Sequence, residues 1–507
     1  MYKKREKIRK CAYNTNDFSD NDAKILGAML ALDSPQDKEY FYNLKTLHLK
    51  CAEMEQIPKE VAKLKFLKKL KISSSLSEEF REIPKELGKL KYLESLDLSS
   101  NRIVKIPKEL GELKNLKELD LSFNQIEYIP KELGELESLK ELDLSKNYIK
   151  EIPKELGELK NLERLYFSDN KIQELPRGLK KLENLKELEL SGNKIYQIPK
   201  ELGELKNLER LDLSSNYNRK KPKEIGGYES PEEHELLSRY IKKIPKELGN
   251  LKNLKKLELS GNKIKQIPKE LGELEKLEKL FLLNNCIQEI PKKLSELKNL
   301  KELDLSGNYI SEMPKELGKL KDLEALCLSD NYIREIPKEL GELKNLKELD
   351  LSYNYIKPSL KSFSVFLPLD ECDLSDDELS KILEELQSLK IIKKSNIFIE
   401  QTNSIPKELG KLKSLEVLNL TKNILKNIPK ELGELENLIE LKLSNNEIGR
   451  IPKNLGNLKN LRYIDLSYNV IKNIPKELNE LEKVCKINVD FNKSEELSER
   501  YCPWLIN

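Results

Sequence analysis

A 23-residue period dominates this sequence and leaves it few ways to fold. The phrase IPKELGELKNLKELDLSxN recurs along almost the whole chain. Counted from their first residue, the units begin at 35, 58, 84, 107 and onward to 475, which makes 20 units. Every step is 23 residues except that from 58 to 84, which is 26. Eighteen of the 22 prolines hold the first position, and Leu360 and Leu383 replace it in two units. Apolar residues fall at offsets 3, 6, 9, 12, 14, 19 and 22, as in Leu294, Leu297, Leu300, Leu303, Leu305, Ile310 and Met313 of the unit at Pro291. Asn fills offset 17 in 15 of the 20 units. One such unit is a single supersecondary element that cannot bury its apolar face alone, so the units must stack on one another.

Each part of the unit has a local reading. The L-x-L step at offsets 12 and 14 alternates inward and outward, as a short strand does. Proline followed by Lys-Glu-Leu-Gly suits the first turn of a short helix, where a missing N–H is harmless. Apolar spacing of three at offsets 3, 6 and 9 tolerates 3-10 geometry. The asparagine amide can satisfy backbone groups of the turn inside the stack.

The phrase L-x-x-L-x-L-x-x-N-x-I, as in Leu300 to Ile310, resembles the leucine-rich repeat family over about residues 35–497. The expected fold is an α/β solenoid: a horseshoe with a parallel β-sheet on its concave face and short helices on its convex face. The IPxxL form resembles intracellular members, including Ras-scaffold and Ras-suppressor-like proteins, plant intracellular relatives and bacterial repeat proteins. That resemblance implies binding of a protein partner, with a small GTPase or a phosphatase as examples.

Two regions depart from the consensus while keeping the period. Pro199 to Pro245 spans two periods and Pro337 to Pro406 spans three, so 222–244 and 360–405 read as degenerate repeats. Ser375 to Glu378 and Ser230 to Glu233 are capping boxes. They predict a helix at about 376–390, and one at about 231–243 with a weakened or missing strand. The alternative for the earlier break is a 22-residue loop between Tyr217 and Tyr240. Residues 1–34 are expected to form a basic segment and N-terminal cap, with a helix near 20–33. Residues 498–507, with Trp504, are expected to cover the last unit, since terminal repeats expose their cores.

Composition narrows the function. Lys plus Arg at 91 nearly balances Asp plus Glu at 88, which argues against a nucleic-acid partner. No apolar run is long enough for a membrane span, and 23–32 lacks the pattern of a signal peptide. The seven cysteines form no CxxC, so neither a metal site nor a disulfide framework is expected, and the chain reads as cytoplasmic. Cys327 is the one thiol placed for reactivity. With two histidines and no catalytic motif, the chain is not expected to be an enzyme or to hold a cofactor.

Function is therefore expected on the inner face, at offsets 10, 11, 13, 15 and 16, where the fold makes no demand. Departures from consensus there mark candidate partner contacts. Phe281 and Leu283 form one patch. Phe398, Ile399, Val417, Ile439, Tyr463 and Tyr468 form a second toward the C-terminus. Phe123, Tyr166, Cys327 and Tyr353 are further departures, and Tyr148, Tyr309, Tyr332 and Tyr355 at offset 18 line one rim. The expected function is a protein-interaction scaffold; the alternative is a bacterial effector that binds a host protein.

Overall fold

The computed structural model describes residues 43–51, 57, 59–74, 81–216, 240–354, 405–481 and 484–492. They fall in two compact units, one ending at Asn262 and the other beginning at Lys263. The terminal segments with their expected caps, and the spans 217–239 and 355–404, lie outside the described residues.

The first unit holds strands β1 (Thr46–Cys51), β2 (Lys69–Ser74), β3 (Ser95–Asp97), β4 (Glu118–Asp120), β5 (Glu141–Asp143), β6 (Arg164–Tyr166), β7 (Glu187–Glu189), β8 (Arg210–Asp212) and β9 (Lys256–Glu258). The second holds β10 (Lys279–Phe281), β11 (Glu302–Asp304), β12 (Ala325–Cys327), β13 (Glu348–Asp350), β14 (Val417–Asn419), β15 (Glu440–Lys442), β16 (Tyr463–Asp465) and β17 (Lys486–Asn488). Within each unit every strand pairs in parallel with the next at the same offset, so Leu96 faces Leu119 and Leu119 faces Leu142. This is the expected leucine-rich repeat solenoid, with strands on one face and short turns on the other.

Between strands the chain makes a five-residue 3-10 turn such as Lys108–Glu112. Its backbone explains the three-residue apolar spacing. Leu110 N–H donates to Pro107 O, Leu113 N–H to Leu110 O and Leu116 N–H to Leu113 O, at 3.1, 3.1 and 2.9 Å. Residues three apart in 3-10 geometry lie on one face, and all three leucines are fully buried. The proline precedes the turn in extended conformation (φ −71° at Pro107) and lends its carbonyl to it. Only the last such segment, α1 (Lys476–Asn479), is α-helical. The turns pack so closely that a Cβ on Gly111 would lie 2.2 Å from Glu132 O of the next turn.

The asparagines tie each rung to its predecessor. Asn308 Nδ2 donates to Leu282 O, Leu305 O and Ser306 O at 3.0, 2.9 and 3.1 Å. Its Oδ1 accepts Ile287 N–H at 3.0 Å. The same bonds recur at Asn147. A backbone turn that would otherwise bury unpaired donors and acceptors is thereby satisfied.

At both breaks the described strands close up on each other. β8 pairs directly with β9, and β13 directly with β14. Asn216 and Asn354 still hold their offset-17 bonds on one side. On the other side Ile241 and Ile405 are buried where a regular unit has its offsets 19 and 22. Between these points 217–239 and 355–404 lie outside the described residues, as do 75–80 within the 26-residue step. Asn101 and Asn262, each following an irregular step, have an Oδ1 with no partner among the described residues.

Candidate protein-binding face

Offsets 11, 13 and 15 project from the strands on the side away from the core, because 12 and 14 are buried. At offset 13 an aspartate Oδ1 commonly accepts the N–H of the offset-15 serine: 2.9 Å at Asp120 and Ser122, 2.8 Å at Asp143 and Ser145. At offset 10 most strands carry lysine or glutamate, often opposite in charge to a neighbour. Glu94 takes Lys68 at 2.6 Å and Lys117 at 2.7 Å, and those hydrogen bonds hold its carboxyl at about 2.

In the second unit the C-terminal candidates separate into two places. Val417 and Tyr463 occupy offset 11 of β14 and β16, with Glu440 between them in register. Ile439 sits one residue earlier, 38% exposed, in a row where most other strands carry a charged residue. Its carbonyl accepts Arg462 N–H at 2.8 Å and Tyr463 N–H at 3.1 Å. These three side chains share the entry end of neighbouring strands. Tyr468 does not join them. It lies past the exit end of β16, half exposed, and stacks on Phe491 with ring centroids 4.4 Å apart. Phe398 and Ile399 lie outside the described residues. Phe281 and Leu283 project from β10 and the residue beyond its end as a half-buried pair.

Sequence reasoning missed the conformation of offset 16. Every described residue there from Ser100 to Phe491 has positive φ. Gly192, Gly261 and Gly307 adopt it freely, but Phe123, Tyr353, Tyr468 and Phe491 are bulky and hold φ between 52° and 57°. Phe123 and Tyr353 are therefore turn residues at the strand's exit, not strand-face residues. Lysine ammoniums from the next unit cover them: Lys146 Nζ is 4.1 Å from the Phe123 ring and Lys422 Nζ 4.4 Å from the Tyr353 ring. The glycines at offset 16 were the available signal, with Asn284, Asn445 and Asp169 beside them, since these residue types tolerate the left-handed region best. On the rim, Tyr309 and Tyr332 stack at 6.1 Å.

Cys327 is not the reactive thiol expected. Burial pushes it up to about 12, and Asp304, Glu348 and Asp350 around it oppose the thiolate. Cys286, Cys327 and Cys485 form no disulfide among the described residues. Among the described residues no group of His, Cys, Asp and Glu could hold a metal ion, and no helix is long and apolar enough to cross a membrane.

Known proteins bear on this face. The "Leucine-rich repeat region" family description matches residues 108–226 and 352–506, and "Leucine rich repeat" matches 252–310 and 298–356. No curated protein matches the sequence. Among solved structures, a leucine-rich repeat protein of Leptospira interrogans is similar at 34% identity and TM-score 0.69, covering 89% of this chain and 97% of that one. The Arabidopsis receptor kinase HAESA, solved with the peptide hormone IDA and the co-receptor SERK1, is 29% identical at TM-score 0.61, covering 91% of this chain and 72% of its own. The plant peptide hormone receptor RGFR1, solved with RGF2, is 26% identical at TM-score 0.62, covering 89% and 69%. A repeat built on the same residues in register, and a family description matching more than half its length, place this chain in the leucine-rich repeat family.

Proposed function

We propose that this chain is a non-enzymatic scaffold that binds a protein partner on its strand face. The carrying observation is Ile439, an exposed isoleucine in a row that elsewhere is mostly lysine, arginine and glutamate, beside Val417 and Tyr463. Exposed apolar and aromatic side chains grouped within a polar surround are the usual anchors of an interface. Phe281 and Leu283 give a second, smaller patch in the same unit. HAESA and RGFR1, solved with peptide ligands, support the use of such a face for a polypeptide. A small GTPase or a phosphatase fits this reading, and so does a cytoplasmic setting.

The test is affinity capture from source-cell lysate with wild type beside Val417→Glu/Ile439→Glu/Tyr463→Glu, both first shown to fold by circular dichroism. A protein retained by wild type and lost from the variant supports the reading. Equal retention would move the site elsewhere, and no retained protein at low salt would sink it. The Leptospira relative favours a second reading, an effector that binds a host protein. Detection of the protein solely inside its producing cell would eliminate that one.

A further inference from the structure

The first unit's strand face carries a charge pattern that the repeat does not need. From β3 to β9, offsets 11 and 13 hold nine carboxylates and three cationic side chains, although the whole chain has a net charge of +3. At offset 13, Asp97, Asp120 and Asp143 stand directly opposite one another on neighbouring strands. Like charges in register destabilise a sheet. Lys71 reaches Asp97 at 2.5 Å and Arg164 reaches Glu141 at 2.6 Å. Glu118, Asp120 and Asp143 have no ion-pair partner among the described residues.

Local structure does not explain the charge. The offset-13 carboxylate accepts the offset-15 N–H, but Asn419 does the same for Thr421 at 3.1 Å and Asn488 for Asp490 at 3.2 Å. A neutral amide would serve, and Tyr166, Cys327 and Lys442 show that other side chains fit. A second observation points the same way. At the exit of β4 and β5 stand the exposed rings of Phe123 and Tyr148, and each already holds an ammonium, Lys146 at 4.1 Å and Lys171 at 4.2 Å. Carboxylates flanked by aromatic faces are suited to lysine and arginine side chains.

We propose that the strand face around β3–β5 docks a cationic protein segment rich in Lys or Arg. The inference rests on the strand face being the binding face. The segment's charges would offset the repulsion among Asp97, Asp120 and Asp143, so the face would bind through electrostatic complementarity and weaken with salt.

The test uses the full chain and a labelled oligo-arginine peptide followed by fluorescence anisotropy at low salt, with oligo-glutamate as the opposite probe. Asp120→Asn/Asp143→Asn keeps the serine hydrogen bonds and removes two charges. Glu132→Gln/Glu155→Gln removes the same charge from the turn face. Wild type should bind oligo-arginine and not oligo-glutamate. The strand-face pair should weaken binding roughly tenfold and the turn-face pair less than about twofold. Equal loss in both variants would mean a diffuse charge effect and overturn the proposal, as would no binding of oligo-arginine to wild type. A lysate partner captured through Val417, Ile439 and Tyr463 alongside a failed oligo-arginine test would sink this inference alone and leave the scaffold reading standing.

Discussion

The strand faces of the two units differ where their cores do not. In the first unit, offset 13 carries two runs of three carboxylates on neighbouring strands: Asp97, Asp120 and Asp143, then Glu189, Asp212 and Glu258. In the second, no two neighbouring strands both carry one: Phe281, Asp304, Cys327, Asp350, Asn419, Lys442, Asp465 and Asn488 alternate. There Asn419 Nδ2 even donates across the row to Asp350 at 3.2 Å. Backbone, core leucines and asparagine bonds are the same in both. Offsets 11 and 13 are therefore where the fold stops dictating and a partner can begin to. If that division holds, core substitutions should act alike in both units and face substitutions should not.

The largest effects are expected at the asparagines. Asn308→Ala in the second unit would leave Ile287 N–H unpaired in the core and take one of two amide donors from Leu282 O and Leu305 O, which keep Asn285 and Asn331, and Asn147→Ala in the first would do the equivalent. Each should cost about 3 kcal/mol by urea denaturation. Next come the turn glycines. A Cβ at Gly111 or Gly341 would lie 2.2 or 2.3 Å from a carbonyl oxygen of the next turn. Gly111→Ala and Gly341→Ala should each cost about 2 kcal/mol. A clear asymmetry between units in either pair would break the claim that the core is common to both.

The sequence carried the repeat, the three-residue turn spacing and the asparagine's role because each is imposed on every unit and averages over many copies. The breaks were less legible. Insertions of whole periods preserve the arithmetic, so 222–244 and 360–405 looked like drifted repeats, whereas the pairing of Arg210 with Lys256 and of Glu348 with Val417 runs straight past them. The face was partly legible. Val417, Ile439 and Tyr463 do share one end of adjacent strands. Tyr468 stands apart because offset 16 lies past the strand's exit at positive φ, where the strand's alternation no longer applies. The acidic rows were invisible to a search for departures from consensus, since aspartate is the consensus.

Smaller effects sharpen the comparison at the strand exits. Phe123 in the first unit and Tyr353 in the second both hold φ of 56°. Replacing either by asparagine relieves about 1 kcal/mol of left-handed strain. It also removes a lysine–ring contact worth about 0.5 kcal/mol at an exposed site. Phe123→Asn and Tyr353→Asn should thus raise Tm slightly and equally. A fall in Tm would mean that the rings stabilise the fold and are not held ready for a partner.

The smallest effect is a pH dependence confined to the acidic row, and it has opposite signs at the two ends of the run Asp97, Asp120 and Asp143. At Asp143, burial raises the carboxyl above its ordinary value against the pull of the Ser145 hydrogen bonds, and Asp120 and Glu141 raise it further. At Asp97, burial also raises the carboxyl, but the hydrogen bonds from Lys71 and Ser99 outweigh it and lower it. A raised carboxyl favours folding only while protonated, so that contribution is lost as pH rises through the folded value. A lowered one favours folding only while ionised, and its contribution is lost as pH falls through the folded value. At neutral pH, Asp143→Asn should therefore raise Tm a little and Asp97→Asn should lower it. Both differences should shrink on acidification, where wild type itself becomes neutral at these sites. Thermal unfolding of the two variants across the acid range reads this directly. Equal shifts of one sign would mean that the row's charges act through the field of the whole face and not through each residue's own neighbours.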